Sequence, residues 1–231
     1  FYRLAEHGTD RSAQILIFIL IFELIVLLNH RKNFENSLSK VFILLSIIIS
    51  LKVFYVLYFI LLIPVIIHGF VKFRFKLFKL VSKKKSFSIL LLIFLSIIFT
   101  NLFNSGCLLF PVAATCFENL PWAFSLDHVN HMNNWYEQWS KAGAGPNFRV
   151  QDPAEYILYF NWVNNWFDEY FFNKVSDFLL GLIAIILVTG LFVFSNKKKD
   201  IKNKDKIFPI YLCLIILSFE WFYNHPSLRY G

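Results

Sequence analysis

Four acidic residues stand where a carboxylate could act as a general base on a polar substrate. Glu6 and Asp10 belong to a polar run directly before the first apolar block, and Glu118 and Asp127 lie near the first two cysteines. A carboxylate within hydrogen-bond reach of a hydroxyl can accept its proton as the hydroxyl attacks. The four acids are therefore candidate catalytic residues. Ordinary solvated loop acids are the alternative for Glu118 and Asp127.

Three basic groups lie at the edges of apolar blocks, where a bound anion would stabilise them. Lys52 interrupts an apolar stretch, and His225 and Arg229 follow the last one. An unpaired charge at the centre of a membrane helix costs about 2.5–3.5 kcal/mol, and a lipid phosphate or diphosphate would offset that cost. Snorkelling to the headgroups, or ion pairs with Glu220 or the N-terminal acids, are the alternatives.

Asp127, His128 and His131 lie within one helical turn of each other, so they could reach a single metal ion. Structural and catalytic metal sites need three or four well-placed ligands. Two histidines at this spacing without a further clear ligand do not complete such a site. We predict no metal and no other cofactor, although a divalent metal is compatible with these residues.

Cys107 and Cys116 are nine residues apart. In an oxidising compartment such a pair most simply closes a small disulfide loop, here around Pro111. Two unpaired thiols at a helix end are the alternative. Cys213 lies inside an apolar block, where it is expected to pack as a small apolar residue.

Tryptophan is concentrated in one polar segment, which holds five of the six Trp residues. Trp122 and Trp135 are candidates for stacking on sugar rings. An aromatic belt at the membrane interface would explain the same residues.

The same segment contains a helix start. Asp152 is placed as the N-cap, with Pro153 at the first helical position. This pattern predicts a helix that lies in the plane of the membrane interface and runs to about Phe172.

The composition assigns these residues to a membrane protein. The chain of 231 residues is 57% hydrophobic and 16% charged, whereas a soluble domain is about 25% charged. A soluble enzyme is excluded, and the fold class predicted is an all-α, polytopic transmembrane protein. The candidate spans are residues 13–29, 41–51, 53–70, 87–104, 176–195 and 207–223.

Lysine-rich connections predict how the spans are oriented. Residues 72–85 hold seven basic residues and no acid, and residues 197–206 hold six lysines against two acids. Residues 105–177, by contrast, hold three basic residues against eight acids. Since cytoplasmic connections carry the excess of Lys and Arg, the Trp-rich loop 105–175 is predicted to be external. The net charge of +8 then predicts contact with the lipid bilayer and no nucleic-acid binding.

The apolar stretch 41–70 allows two arrangements. As one tilted helix its 30 residues would run about 45 Å, against a hydrocarbon core of about 30 Å. A hairpin of two short helices that turns at Lys52 fits better, and it places residues 1–12 on the external side with the Trp-rich loop. A single helix would place residues 1–12 in the cytoplasm.

Several of these residues carry a resemblance to a known group of proteins. The chain resembles bacterial polytopic membrane proteins of unassigned activity found with surface-polysaccharide genes, which are similar in layout to the GT-C glycosyltransferases. The matching features are the run Arg3–Ser12, a lysine between two short apolar helices at Lys52, the run Asn104-Ser105-Gly106-Cys107 with Pro111, the pair Thr115-Cys116, Trp122, and the run His225–Gly231.

The resemblance implies a multi-pass enzyme of the bacterial inner membrane. Such an enzyme takes a sugar from a polyprenyl-phosphate donor and transfers it to a glycan acceptor on the periplasmic side. GT-C enzymes usually hold a catalytic acid in the first external loop, which would precede Phe1, and we expect the 231 residues to be a fragment of a longer chain. Lys52 and Arg229 are expected to hold the donor phosphate on physical grounds.

Two other classes of protein stay open. A transporter, flippase or ligase-like protein for lipid-linked glycans would show internal repeats or broken helices at the membrane midplane. The sequence shows no repeat, and only Glu23, Lys52 and Glu220 interrupt the spans, which favours the enzyme. A non-catalytic membrane scaffold is the third class, and the clustered polar groups near both termini argue against it.

Overall fold

The computed structural model describes residues 9–29, 34–73, 81, 85–142, 152–176, 179, 180, 183 and 204–227. These residues form helices and turns, with one isolated β-bridge between Cys107 and Cys116. The α-helices are α1 (Thr9–Asn29), α2 (Phe34–Leu51), α3 (Leu62–Phe73), α4 (Lys85–Ser105), α5 (Leu126–Lys141), α6 (Pro153–Ile157), α7 (Val163–Trp166) and α8 (Lys204–Asn224). Val53–Leu61 is a 3₁₀ helix that leads into α3, Ala113–Thr115 is a shorter one, and Phe167–Val175 continues α7 as a π-helix.

Four stretches of the described residues are long and apolar enough to cross a membrane. They are Arg11–Leu28, Phe34–Leu51, Val53–Val71 and Lys85–Ser105. Phe208–Asn224 is a shorter apolar stretch within α8. The all-helical fold class is thus confirmed within the described ranges, and four of these stretches could cross a membrane by their length and composition.

The chain turns sharply at Lys52. This residue has extended backbone angles (φ −156°, ψ 119°) between the end of α2 and the start of the 3₁₀ helix. The rings of Phe34, at the start of α2, and His68, in α3, have centroids 6.2 Å apart. The two arms therefore run antiparallel, so the structure has the hairpin and not the single long helix.

The helix α2 lies at the centre of the bundle. Half of its residues (50%) are buried inside the protein, against 11% of the apolar stretch of α4. Its inward face packs between α1 and α4, and α8 joins the same core through Ile210, Cys213 and Leu217. The exposed apolar faces of α1, α4 and α8 suit a lipid environment.

The helices extend beyond the predicted spans because polar residues continue them. The span predicted to start at 41 starts at Phe34, seven residues earlier. Lys40, within this extension, forms an ion pair with Glu23 of α1 at 3.0 Å. This pair explains how an acid is held within the first span. Most of the predicted span 176–195 lies outside the described residues.

The segment after α4 folds back on the end of that helix. Cys107 and Cys116 form a disulfide, which confirms the predicted pairing. The backbone N–H of Phe117 donates to the carbonyl of Gly106 at 2.9 Å, and that of Phe124 donates to Ser105 at 3.1 Å. Residues 106–125 are called the disulfide loop below, and the end of the bundle that carries it is called the loop end.

The prediction of one interfacial helix from Asp152 to Phe172 is wrong. The start is confirmed, because the Asp152 carboxylate accepts from the backbone N–H groups of Ala154 and Glu155 at 3.0 and 3.1 Å. However, α6 ends at Ile157, and Tyr159 has a positive φ of 51°. The break lets Trp162 become fully buried, so tertiary packing of a large ring outweighs local helix propensity.

Candidate functional site

The turn of the hairpin meets the end of α8 at the loop end. The ring of Phe54, two residues after Lys52, packs edge-on against the ring of His225, with centroids 5.4 Å apart. Burial, followed by the charges of Lys141 and Lys52, lowers the pKa of His225 to about 4. The structure therefore brings together two predicted phosphate-binding residues, Lys52 and His225, and adds Lys141 to them. These two lysines, together with the neutral His225, are called the cationic cluster below.

Lys141 is fully buried (0% exposed). Its Nζ is 2.5 Å from a Glu137 carboxylate oxygen and donates to the carbonyl of Ile157 at 3.0 Å. The same ammonium lies over the rings of Trp162 and Tyr223, 5.2 and 5.0 Å from their centroids. A buried cation is tolerated when it is paired and hydrogen-bonded in this way. Lys141 therefore connects the Trp-rich loop 105–175 to the end of α8.

Two indoles fix the short segment that follows α8. Trp166 Nε1–H donates to the carbonyl of Pro226 at 2.7 Å, and Trp221 Nε1–H donates to the carbonyl of Ser227 at 2.8 Å. Trp166 itself is packed against Trp162 and Phe222. The position of His225 is thus set by tryptophans from two separate parts of the chain.

Lys141 was not among the residues that the sequence singled out. It ends the polar helix α5, four residues after Glu137, and such a pair ordinarily marks a solvated helix face. In the sequence Lys141 lies between two Trp-containing stretches, and this position gives no indication that its side chain is buried.

Three of the predicted site residues cannot be placed. Arg229 and Glu6 lie outside the described residues, as does the side chain of Asp10.

The two candidate acids near the disulfide loop have different positions. Glu118 Oε1 accepts from the backbone N–H of Leu126 at 3.0 Å, so this carboxylate caps α5 together with Ser125. Asp127 is exposed in the first turn of α5, where a negative charge stabilises the helix.

The histidines near Asp127 do not form a metal site with it. His128 packs on Phe124, with ring centroids 4.9 Å apart. In the described ranges, no three His, Cys, Asp or Glu side chains gather closely enough to hold a metal ion.

The two candidate sugar-stacking tryptophans differ in their surroundings. Trp122 Nε1–H donates to the carbonyl of Leu102 at 3.1 Å, and the ring stacks on Phe103 at 6.3 Å, so Trp122 anchors the disulfide loop to α4. Trp122 is 46% exposed and Trp135 is 49% exposed. Both therefore keep an accessible ring surface, and stacking on a sugar stays a prediction.

A groove of about 280 Å³ lies between α1 and α8. Its walls are α1 from Arg11 to Ile21, α8 from Leu214 to Trp221, and Tyr58, with Val175 and Leu179. Trp221 belongs to this wall and also holds Ser227. The groove and the cluster thus share the end of α8.

A row of aromatic rings also joins the groove to the cluster. Tyr58 packs on Tyr55 with centroids 5.4 Å apart, and Tyr55 packs on Phe54 at 6.1 Å. Phe54 in turn contacts His225. Tyr58, which lines the groove, is therefore connected to His225 through the packed rings of Tyr55 and Phe54.

Together, the apolar bundle, the disulfide loop and the cationic cluster define a helical protein with four candidate membrane-spanning helices, in which Lys52, Lys141 and His225 lie at the loop end. The chain belongs to the family described as domain of unknown function DUF8201, whose family profile matches residues 1–231. The comparisons with curated proteins and with solved structures gave no significant match.

Proposed function

We propose that the protein is a membrane enzyme of bacterial surface-glycan assembly, similar in layout to GT-C glycosyltransferases. It takes a sugar from a polyprenyl-phosphate donor and transfers it to a glycan acceptor at the periplasmic face of the inner membrane. In this orientation the loop end faces the periplasm, where a disulfide is stable.

One observation carries the proposal: the hairpin turn at Lys52 lies beside His225, because the ring of Phe54 packs on His225, although 173 residues separate Lys52 and His225 in the sequence. Both lie at helix ends, Lys52 before the 3₁₀ helix and His225 after α8. A lipid phosphate would reach a protein at this depth, and the Lys52 ammonium would offset its charge.

The chemistry assigned to this site is charge stabilisation of the leaving phosphate. Lys52 holds the phosphate as the glycosidic bond breaks, because a fixed cation stabilises charge that develops in the transition state. His225, neutral at pH 7 with its pKa of about 4, donates a hydrogen bond to a phosphate oxygen. Glu6 or Asp10, both close to Arg11 in the sequence, acts as the general base: it accepts the proton of the acceptor hydroxyl as that oxygen attacks the anomeric carbon of the sugar.

The test is donor consumption by membranes that contain the protein. Membranes with the wild-type chain, Lys52→Ala or His225→Ala are supplied with polyprenyl-phosphate sugars and a glycan acceptor, and mass spectrometry follows the donor. We expect both variants to lower the rate at least about tenfold, the loss of one charge-assisted contact. Lys85→Ala, an exposed lysine at the opposite end of α4, is the matched control and should keep the wild-type rate.

Two results would contradict the proposal. Equal rates of donor consumption for the wild type and Lys52→Ala would mean that Lys52 does not bind the donor phosphate. Movement of the intact donor across vesicle membranes without its consumption would assign the protein to the transporters instead.

A further inference from the structure

The groove between α1 and α8 has a polar end and an apolar end. Arg11, Gln14 and Trp221 lie at the loop end, and Arg11 Nη1 donates to the Gln14 side-chain oxygen at 3.3 Å. Ile17 and Ile21 of α1 continue the groove away from that end. The wall therefore changes from charged to apolar in the direction from the membrane surface toward its centre.

The length of this wall matches one leaflet. From Arg11 to Ile21 the helix α1 advances ten residues, which is about 15 Å at about 1.5 Å per residue. That is half of a hydrocarbon core of about 30 Å. A lipid with its charged group beside Arg11 would therefore place its chain along the apolar wall.

The volume of the groove favours one chain over two. At about 280 Å³ it lies at the lower limit of ligand pockets, which span about 300–1,000 Å³. A segment of a single hydrocarbon chain fits this space, whereas a diacyl phospholipid would have to leave one chain outside. Arginine suits a phosphate because its planar guanidinium can bind two oxygens at once.

We infer that the groove holds the hydrocarbon chain of a polyprenyl phosphate, with the Arg11 guanidinium at the phosphate. The inference deepens the proposed function and rests on it for the identity of the lipid. Tyr58 lines the groove and packs on Tyr55, and Trp221 lines it and donates to Ser227. The phosphate of a lipid held there would therefore lie at the same end of the bundle as Lys52 and His225.

Photocrosslinking tests the groove without any sugar transfer. The full chain in nanodiscs is exposed to a polyprenyl phosphate that carries a diazirine on its chain, and a diazirine-bearing phosphatidylglycerol is the comparison probe. Crosslinked peptides are mapped by mass spectrometry. We expect the polyprenyl phosphate to label the groove walls of α1 and α8, and phosphatidylglycerol to label them at least about fivefold less, given the single-chain fit.

Three variants locate the bound chain. Ser218→Phe places a ring in the groove, and Ile216→Phe places the same ring on α8 at an exposed residue outside it. Arg11→Gln removes the cation with little change of volume. We expect Ser218→Phe and Arg11→Gln each to lower labelling of the groove about tenfold, and Ile216→Phe to leave it unchanged.

Unchanged labelling in both Ser218→Phe and Arg11→Gln would overturn the inference, and so would equal labelling by the two probes. The probe carries no sugar, so its result is separate from the transfer assay. Groove labelling without donor consumption would refute the proposed function alone, and donor consumption without groove labelling would refute the inference alone.

Discussion

The indole N–H of Trp166 donates to the carbonyl of Pro226 at 2.7 Å, across 60 residues of sequence. Trp166 belongs to the Trp-rich loop 105–175, and Pro226 directly follows His225. This bond fixes the segment that carries His225 to the Trp-rich loop, so the geometry of the cationic cluster depends on the folding of that loop.

Replacement of Trp166 by Phe should loosen this connection. The variant keeps a large apolar ring but leaves the buried Pro226 carbonyl without its donor, which costs about 1–3 kcal/mol. We expect a lower melting temperature in detergent. Trp135→Phe, at an exposed residue of α5, should leave it nearly unchanged. Equal melting temperatures for the two variants would mean that the bond does not hold the segment.

Replacement of Lys141 by Met should destabilise the Trp-rich loop more strongly. The change leaves the Glu137 carboxylate without its buried cation and removes the contacts with Trp162 and Tyr223. Removal of one partner of a buried pair costs about 3–5 kcal/mol. Limited proteolysis within residues 105–175 reports the loss. Lys174→Met, at an exposed lysine over Tyr170, is the control and should digest like wild type.

The stability of the protein should fall in mild acid because of His225. Its folded pKa of about 4 lies below the ordinary 6.5, so the unfolded chain takes up a proton first as the pH falls. This stabilising contribution is complete above pH about 6.5, is lost progressively below it, and is gone near pH 4. Melting temperatures from pH 7.5 to 4.5 measure the loss.

The control for the pH experiment is His225→Gln, which cannot titrate. It should lower the melting temperature at pH 7.5 but flatten the change between pH 6.5 and 4.5. His131→Gln, at an exposed histidine of α5, should leave the wild-type pH curve intact. An equally steep curve in His225→Gln would assign the acid sensitivity to other groups.

Gly106 should tolerate no side chain. It has φ +77°, and an added Cβ would lie 2.4 Å from Ala123 Cβ and 2.8 Å from Ala123 Cα. We therefore expect Gly106→Ala to displace the disulfide loop and reduce closure of the bond between Cys107 and Cys116. Gel shift with a maleimide polymer under denaturing conditions counts the free thiols. Ala114→Gly, at an exposed loop residue, should keep the bond fully formed.

The sequence predicted those features that depend on local pattern and on membrane physics. Apolar blocks gave the helices, the length of the stretch around Lys52 favoured a hairpin, and the spacing of Cys107 and Cys116 indicated a disulfide. The burial of Lys141 and the break after Ile157 could not be predicted in this way. Both arise from long-range packing around Trp162, which local propensity and spacing do not report.

The central claim is that Lys52 binds the phosphate of a lipid-linked sugar, and direct binding measures it best. Native mass spectrometry of the detergent-solubilised chain with a polyprenyl-phosphate sugar would compare wild type, Lys52→Ala and Lys85→Ala. The account predicts that Lys52→Ala alone loses affinity, by about tenfold for one charge-assisted contact. Equal binding by all three proteins would contradict it.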